Sequence, residues 1–67
     1  MTATINGESR DLADGATLEA LLRVLGLDAA TGIAVAVNAR VVRRAAFGDH
    51  TLRDGDAVEI IRAVAGG

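Results

Sequence analysis

The most distinctive groups for chemistry in this sequence lie at its end, where it reads Ala65-Gly66-Gly67. Residues without a branched Cβ make a slender segment, and glycine adopts backbone angles that other residues resist. Four extended residues from Val64 onward span about 13 Å, so the segment could place the Gly67 carboxylate in a remote active site of another protein. A carboxylate is a poor electrophile, but ATP can convert it to an acyl adenylate. A sulfur nucleophile can then displace AMP and leave a thiocarboxylate.

The other polar residues are weaker candidates for chemistry. His50 is the single histidine and has no cysteine or second histidine to pair with, which favours a surface or packing role over catalysis. Asp54-Gly55-Asp56 lacks the ligand spacing of a calcium loop and is typical of a turn. Arg43 and Arg44, near Arg40, could contact an anionic partner because guanidinium forks suit carboxylates and phosphates, although adjacent arginines are more often only solvated. We expect no metal site.

Composition narrows the class of protein. A chain of 67 residues forms one domain, and its 51% hydrophobic content argues against disorder. It has no cysteine, which excludes disulfides and thiolate chemistry. The net charge of −2 and the single aromatic residue disfavour nucleic acid as a partner. The start resembles no signal peptide and no apolar run approaches the roughly 20 residues that span a bilayer, so we expect a cytoplasmic protein without membrane contact.

The first half of the chain predicts a hairpin and a helix. Period-two alternation over residues 2–6 and the turn signal Asn6-Gly7 predict a hairpin whose second strand covers about Ser9 to Leu12. The helix is predicted by one apolar stripe, which comprises Leu18, Leu21, Leu22 and Leu25. Thr17 is the predicted N-cap, Glu19 and Arg23 are spaced for an ion pair, and Gly26 is the predicted stop.

The second half predicts three strands. The apolar run over residues 33–37 predicts a strand that is buried on nearly both faces. A short strand follows at Val41-Val42, and Phe47 is predicted to anchor an irregular stretch in the core. If Val58 and Ile60 of the last strand face the helix, Glu59, Ile61 and Ala63 are expected to face away. An exposed Ile61, with Ala63 and Val64, is either harmless or part of a surface for docking a partner.

The order β-β-α-β-β-β predicts an α+β fold of the β-grasp type. We expect a mixed sheet of four to five strands with one helix packed on one face, and the last strand parallel to the first at the centre. Residues 1–64 are predicted to form this domain. Residues 65–67 are predicted to form a flexible C-terminal Gly-Gly tail.

An ordered set of motifs resembles the ThiS family of sulfur carriers in thiamine biosynthesis. The set comprises GATLEALL, AVAVNARVV, DGDAVEII and a terminal VAGG, and it runs the length of the chain. Arg43 departs from the family because a proline often occupies this region. The resemblance implies a ubiquitin-like β-grasp fold and a protein that is a co-substrate and not an enzyme, with no bound cofactor.

The resemblance also implies partners and a modified residue. An E1-like adenylyltransferase (ThiF-like) would use ATP to adenylate Gly67. A sulfur donor such as a cysteine desulfurase would supply the sulfur of the thiocarboxylate. A thiazole synthase (ThiG-like) would take that sulfur to build the thiazole ring.

Several other functions remain open from the sequence. The same chemistry could serve molybdopterin synthesis, although that carrier is usually longer, or another pathway. Gly67 could instead be joined to lysines of target proteins, as in a ubiquitin-like modifier, and the chain itself contains no lysine to accept such a bond. A β-grasp binding module with a frayed, inert end is the third class. A neighbouring thiazole synthase gene would separate the thiazole carrier from the carriers of other pathways. Covalent protein adducts would favour the modifier, and indifference to deletion of Gly67 would favour the binding module.

Overall fold

The strands and the helix follow the predicted order. The computed structural model describes residues 1–27 and 32–62. In these residues the elements are β1 (Thr2–Ile5), β2 (Glu8–Asp11), α1 (Leu18–Val24), β3 (Ile33–Val37), β4 (Arg40–Val42), a 3₁₀ helix (Arg44–Ala46) and β5 (Ala57–Arg62). The 3₁₀ helix occupies the stretch predicted to be irregular, and β2 lies one residue earlier than predicted.

The described strands form one mixed sheet in the order β2-β1-β5-β3-β4. The strands β1 and β5 are parallel, with Thr4 opposite Ala57, whereas the other neighbouring pairs are antiparallel. This confirms the prediction that the last strand lies beside the first in the centre. Asn6 and Gly7 both have positive φ, 51° and 86°, as a two-residue hairpin turn requires.

The ends of α1 are fixed by the residues that the sequence indicated. The hydroxyl of Thr17 accepts a hydrogen bond of 3.1 Å from the Ala20 N–H, which caps the first turn. The Arg23 guanidinium lies 3.1 Å from the Glu19 carboxylate one turn away. Beyond the helix, Gly26 has a φ of 74°, so glycine ends the helix in the left-handed region.

The core lies between α1 and one face of the sheet. Its buried side chains are Leu18, Leu21 and Leu22 from the helix, Val35, Val37 and Val58 from the sheet, and Phe47 and Leu52 from the connecting segments. Phe47 is therefore an anchor, as predicted. The expectation that β3 is buried on nearly both faces was wrong, because Ala34 is exposed. Alanine is apolar in composition but small enough to stand on an open sheet face, so an apolar run did not imply two covered faces.

Candidate functional site: the last strand and the outer sheet face

The predicted working end lies outside the described residues. The residues concerned are the docking candidates Ala63 and Val64, and the tail Ala65, Gly66 and Gly67, of which Gly67 is the residue predicted to be modified. The predicted division of the chain after residue 64 falls there too. These points stay predictions, and the structure bears on the strand that leads to this end and on the surface around it.

Strand β5 is held by hydrogen-bonded neighbours as far as its last residue. On one side β3 pairs with it in register from Val58 to Arg62. On the other side β1 pairs with it over Ala57 and Val58, and the Asn6 N–H donates to the Val58 carbonyl at 2.8 Å. Residue 62 therefore leaves the sheet from a central strand, so the segment that follows starts from a defined position.

The side chain of Asn6 extends the pairing between β1 and β5. Its Oδ1 accepts from the Ile60 N–H at 2.8 Å, and its Nδ2 donates to the Ile60 carbonyl at 3.3 Å. The amide thus satisfies both main-chain groups of Ile60 on the side where β1 has already turned away. The sequence identified Asn6 only as a turn residue. In the structure its φ of 51° serves the turn, and its side chain has the second role of bonding to Ile60.

The face of the sheet opposite α1 carries an apolar surface. Ile61 is 62% exposed and Val41 is 78% exposed, and they are two of the three large aliphatic side chains that stand out in solvent among the described residues. Strand register places Ala34 opposite Ile61, and Ala36 opposite Val41. We call these four residues the outer patch. They lie on the neighbouring strands β5, β3 and β4 and form one continuous surface.

The outer patch contains the predicted Ile61 and three residues that sequence reasoning did not assign to it. Val41 was predicted only to be in a short strand, and the alternation within that strand was too brief to tell its faces apart. Glu59, opposite Ala36, places one carboxylate beside the outer patch. Within the described part of the chain it forms no ion pair.

The arginines that the sequence grouped together have different surroundings. The Arg44 guanidinium lies over the ring of Phe47, 5.9 Å from its centroid, which is within the range of a cation–π contact. Arg43 is exposed and precedes the 3₁₀ helix with an extended backbone. Arg40 lines a separate cavity with His50. Whether Arg43 and Arg44 contact a partner stays a prediction.

The turn at Asp54-Gly55-Asp56 holds the sheet together. Gly55 has a φ of 86°, and the Asp54 carboxylate accepts from the Thr2 N–H at 2.8 Å. Asp56 accepts from the Asn38 side chain at 2.9 Å and from the Arg53 N–H at 2.8 Å. These bonds join the turn to β1 and to the turn after β3, which confirms the structural interpretation of this motif.

The electrostatics of Asp56 reflect these contacts. Partial burial alone would raise the pKa of Asp56. The hydrogen bonds from the Arg53 N–H and Asn38, with the positive potential of His50 and Arg53, outweigh burial and hold the pKa below its ordinary value. The carboxylate is therefore ionised at neutral pH and serves as an acceptor.

His50 has a structural role through its main chain. Its carbonyl accepts from the Leu18 N–H at 2.9 Å, at the start of α1, and the residue is half-buried. No cluster of three or more residues able to hold a metal ion occurs within residues 1–27 and 32–62. In the same ranges no helix is long and apolar enough to cross a membrane.

The sheet order with a parallel central pair and one helix across one face defines a β-grasp, ubiquitin-like protein. Within this class the chain belongs to the ThiS family, whose sequence model matches residues 3–67. The crystal structure of the thiamine biosynthesis protein ThiS from Geobacter metallireducens is 35% identical, with a TM-score of 0.85 and 100% of both chains covered.

Two kinds of curated relative match the chain. The sulfur carrier protein ThiS of Thermus thermophilus is 38% identical over 63 residues, which is 94% of this chain and 95% of that protein. A thiazole synthase of Paramagnetospirillum magneticum is 37% identical over all 67 residues of this chain. The chain spans only 20% of the length of that thiazole synthase.

Proposed function

We propose that the protein carries sulfur on its last carboxylate for formation of the thiazole ring of thiamine. The observation that carries the proposal is its match over nearly the whole length of a ThiS sulfur carrier, combined with Gly66-Gly67 at the end of the sequence. The match to a thiazole synthase supports the choice of that enzyme as the recipient of the sulfur.

The proposed chemistry begins with an E1-like adenylyltransferase. The Gly67 carboxylate attacks the α-phosphorus of ATP, and pyrophosphate leaves, which gives an acyl adenylate. A sulfur nucleophile then attacks the carbonyl carbon, a C–S bond forms and AMP leaves with the electron pair of the C–O bond. Where a cysteine desulfurase supplies the sulfur as a persulfide, a thiol reduces the resulting acyl disulfide and releases the thiocarboxylate.

In this proposal the chain is a co-substrate and its side chains perform no catalysis. A thiazole synthase takes the sulfur and returns a carboxylate, so the protein can be used again. The chain holds no cofactor of its own, and ATP is a substrate of the activating enzyme. Strand β5 contributes by holding Arg62 in the sheet, which fixes where the segment that enters the partner begins.

We also propose that the outer patch is the surface on which the activating enzyme docks. Ile61 and Val41 expose aliphatic area, and its removal from water by a partner would favour binding. The patch includes β5, so a partner seated on it would lie beside the strand that leads to Gly67.

Adenylation can be tested by exchange of labelled pyrophosphate into ATP. With a ThiF-like enzyme, the 67-residue chain should support exchange, because formation of the acyl adenylate is reversible. A chain that lacks Gly67 should not, since its carboxylate ends about 3.5 Å short of the reacting position. Equal exchange with and without Gly67 would contradict the proposal and favour an inert end. Transfer of the chain to lysines of other proteins, without sulfur transfer, would favour the modifier function.

Docking can be tested separately with three matched substitutions. Ile61→Asp and Val41→Asp should each weaken binding to the activating enzyme at least about tenfold, because each buries a charge in an apolar contact. Val24→Asp makes the same change on the helix side, where Val24 is 67% exposed, and should leave binding unchanged. Equal affinities for all three variants would remove the outer patch from the interface.

A further inference from the structure

A cavity of about 410 Å³ lies beside the start of β5, between β4 and the segment that precedes β5. Its polar lining comprises Asn38, Arg40, His50, Thr51, Arg53 and Asp56, and two valines complete the wall. The opposite end of β5 leads to the tail, so this cavity has no place in the sulfur chemistry proposed above.

The cavity has more positive than negative charge. Arg40 and Arg53 both line it, and neither guanidinium forms an ion pair with a carboxylate of the described residues. Asp56 is the one carboxylate in the lining, and its two oxygens already accept from Asn38 at 2.9 Å and from the Arg53 main chain at 2.8 Å. Two guanidinium groups therefore outnumber one engaged carboxylate, in a chain whose net charge is −2.

We propose that this cavity binds a phosphate group, either free or on a small metabolite. Guanidinium groups offer paired N–H donors whose spacing matches the oxygens of a phosphate. The Thr51 hydroxyl and the imidazole of His50 add further hydrogen-bonding groups to the same wall.

The number of acceptor oxygens favours a phosphate over a single carboxylate of another protein. The cavity volume of about 410 Å³ falls within the range of small-molecule pockets. A phosphate group offers three oxygens to the two guanidinium groups, whereas a carboxylate offers two.

The test is titration of the ¹⁵N-labelled 67-residue chain with inorganic phosphate and, in a second arm, with adenosine monophosphate. Ionic strength is held constant with sodium chloride. We expect saturable shifts of the amide signals of Asn38, Thr51 and Arg53 in at least one arm. Tighter binding in the nucleotide arm would identify a phosphomonoester as the ligand, and similar binding in both arms would identify the phosphate group alone.

The variants Arg40→Gln and Arg53→Gln should each raise the dissociation constant about tenfold or more. Both side chains are exposed, and Arg53 bonds to Asp56 through its main chain, so both variants keep the fold. Arg10→Gln makes the same charge change on β2 and should leave binding unchanged. Shifts that do not saturate, or equal losses in all three variants, would overturn the proposal. Tighter binding of a tetraglutamate peptide than of either phosphate would overturn it as well.

Discussion

The side chain of Asn6 provides the sharpest test of how the last strand is held. It makes two hydrogen bonds to the main chain of Ile60, at 2.8 and 3.3 Å, and both are exposed to solvent. Net contributions of such bonds lie near the low end of 0.5–1.5 kcal/mol each. Asn6→Gly removes both and keeps the positive φ, so we expect a loss of about 1–2 kcal/mol in the free energy of unfolding.

Asn6→Ala should cost more than Asn6→Gly. It removes the same hydrogen bonds and also places a Cβ without polar atoms at a φ of 51°, which adds about 1 kcal/mol. We therefore expect a total of about 2–3 kcal/mol. The difference between the two variants isolates the backbone term from the hydrogen bonds.

Urea unfolding measures these losses directly. With a slope of about 1 kcal/mol/M for a small domain, Asn6→Gly should lower the midpoint by about 1–2 M. Amide hydrogen exchange should accelerate more at Ile60, whose N–H loses its acceptor, than at Leu21 in the helix, which reports only the global loss of stability. A midpoint within about 0.3 M of the parent chain, or unchanged exchange at Ile60, would refute the role of this side chain.

Three further predictions concern the fold. Because the pKa of Asp56 is lower in the folded protein, the ionised carboxylate stabilises the fold above the unfolded pKa of about 3.9, and this contribution is lost as pH falls through the folded value. The urea midpoint of Asp56→Asn should therefore lie below that of the parent chain at pH 7 and approach it near pH 3. An equal difference between the two midpoints at both pH values would contradict the argument. Leu18→Ala should cost about 2–5 kcal/mol because Leu18 is fully buried, whereas Val24→Ala on the exposed side of α1 should change stability by less than about 0.5 kcal/mol. Thr17→Ala should cost about 1 kcal/mol by removing the N-cap and Thr17→Ser should restore most of it, so equal stabilities of the two variants by thermal unfolding would show that the cap contributes nothing.

Local patterns in the sequence predicted most of the fold. The Asn6-Gly7 turn, the cap at Thr17 and the stop at Gly26 each depend on a few neighbouring residues, so their chemistry could be read without knowledge of tertiary contacts. The parallel pairing of the first and last strands followed from the order of the elements. Register and faces depend on partners far away in the chain, and these were harder to predict.

The outer patch could be predicted only in part from the sequence. The alternation in β5 correctly placed Ile61 on the open face, but Val41 lies in a strand of three residues, too short for a period of two to be recognised. The alanines of β3 suggested burial because composition does not distinguish a small exposed residue from a small buried one. The separation of Arg40 from Arg44 likewise depends on the path of the chain after β4, which no local pattern indicates.

The central claim concerns the carboxylate of Gly67, and intact mass spectrometry tests it most directly. The chain is incubated with a ThiF-like enzyme, ATP, a cysteine desulfurase with cysteine, and a thiol. The proposal predicts a mass increase equal to the exchange of one oxygen for one sulfur, located at the C-terminal residue by fragmentation. Later addition of a thiazole synthase with its other substrates should return the chain to its original mass. An unchanged mass, with an activating enzyme that modifies a known ThiS under the same conditions, would contradict the account.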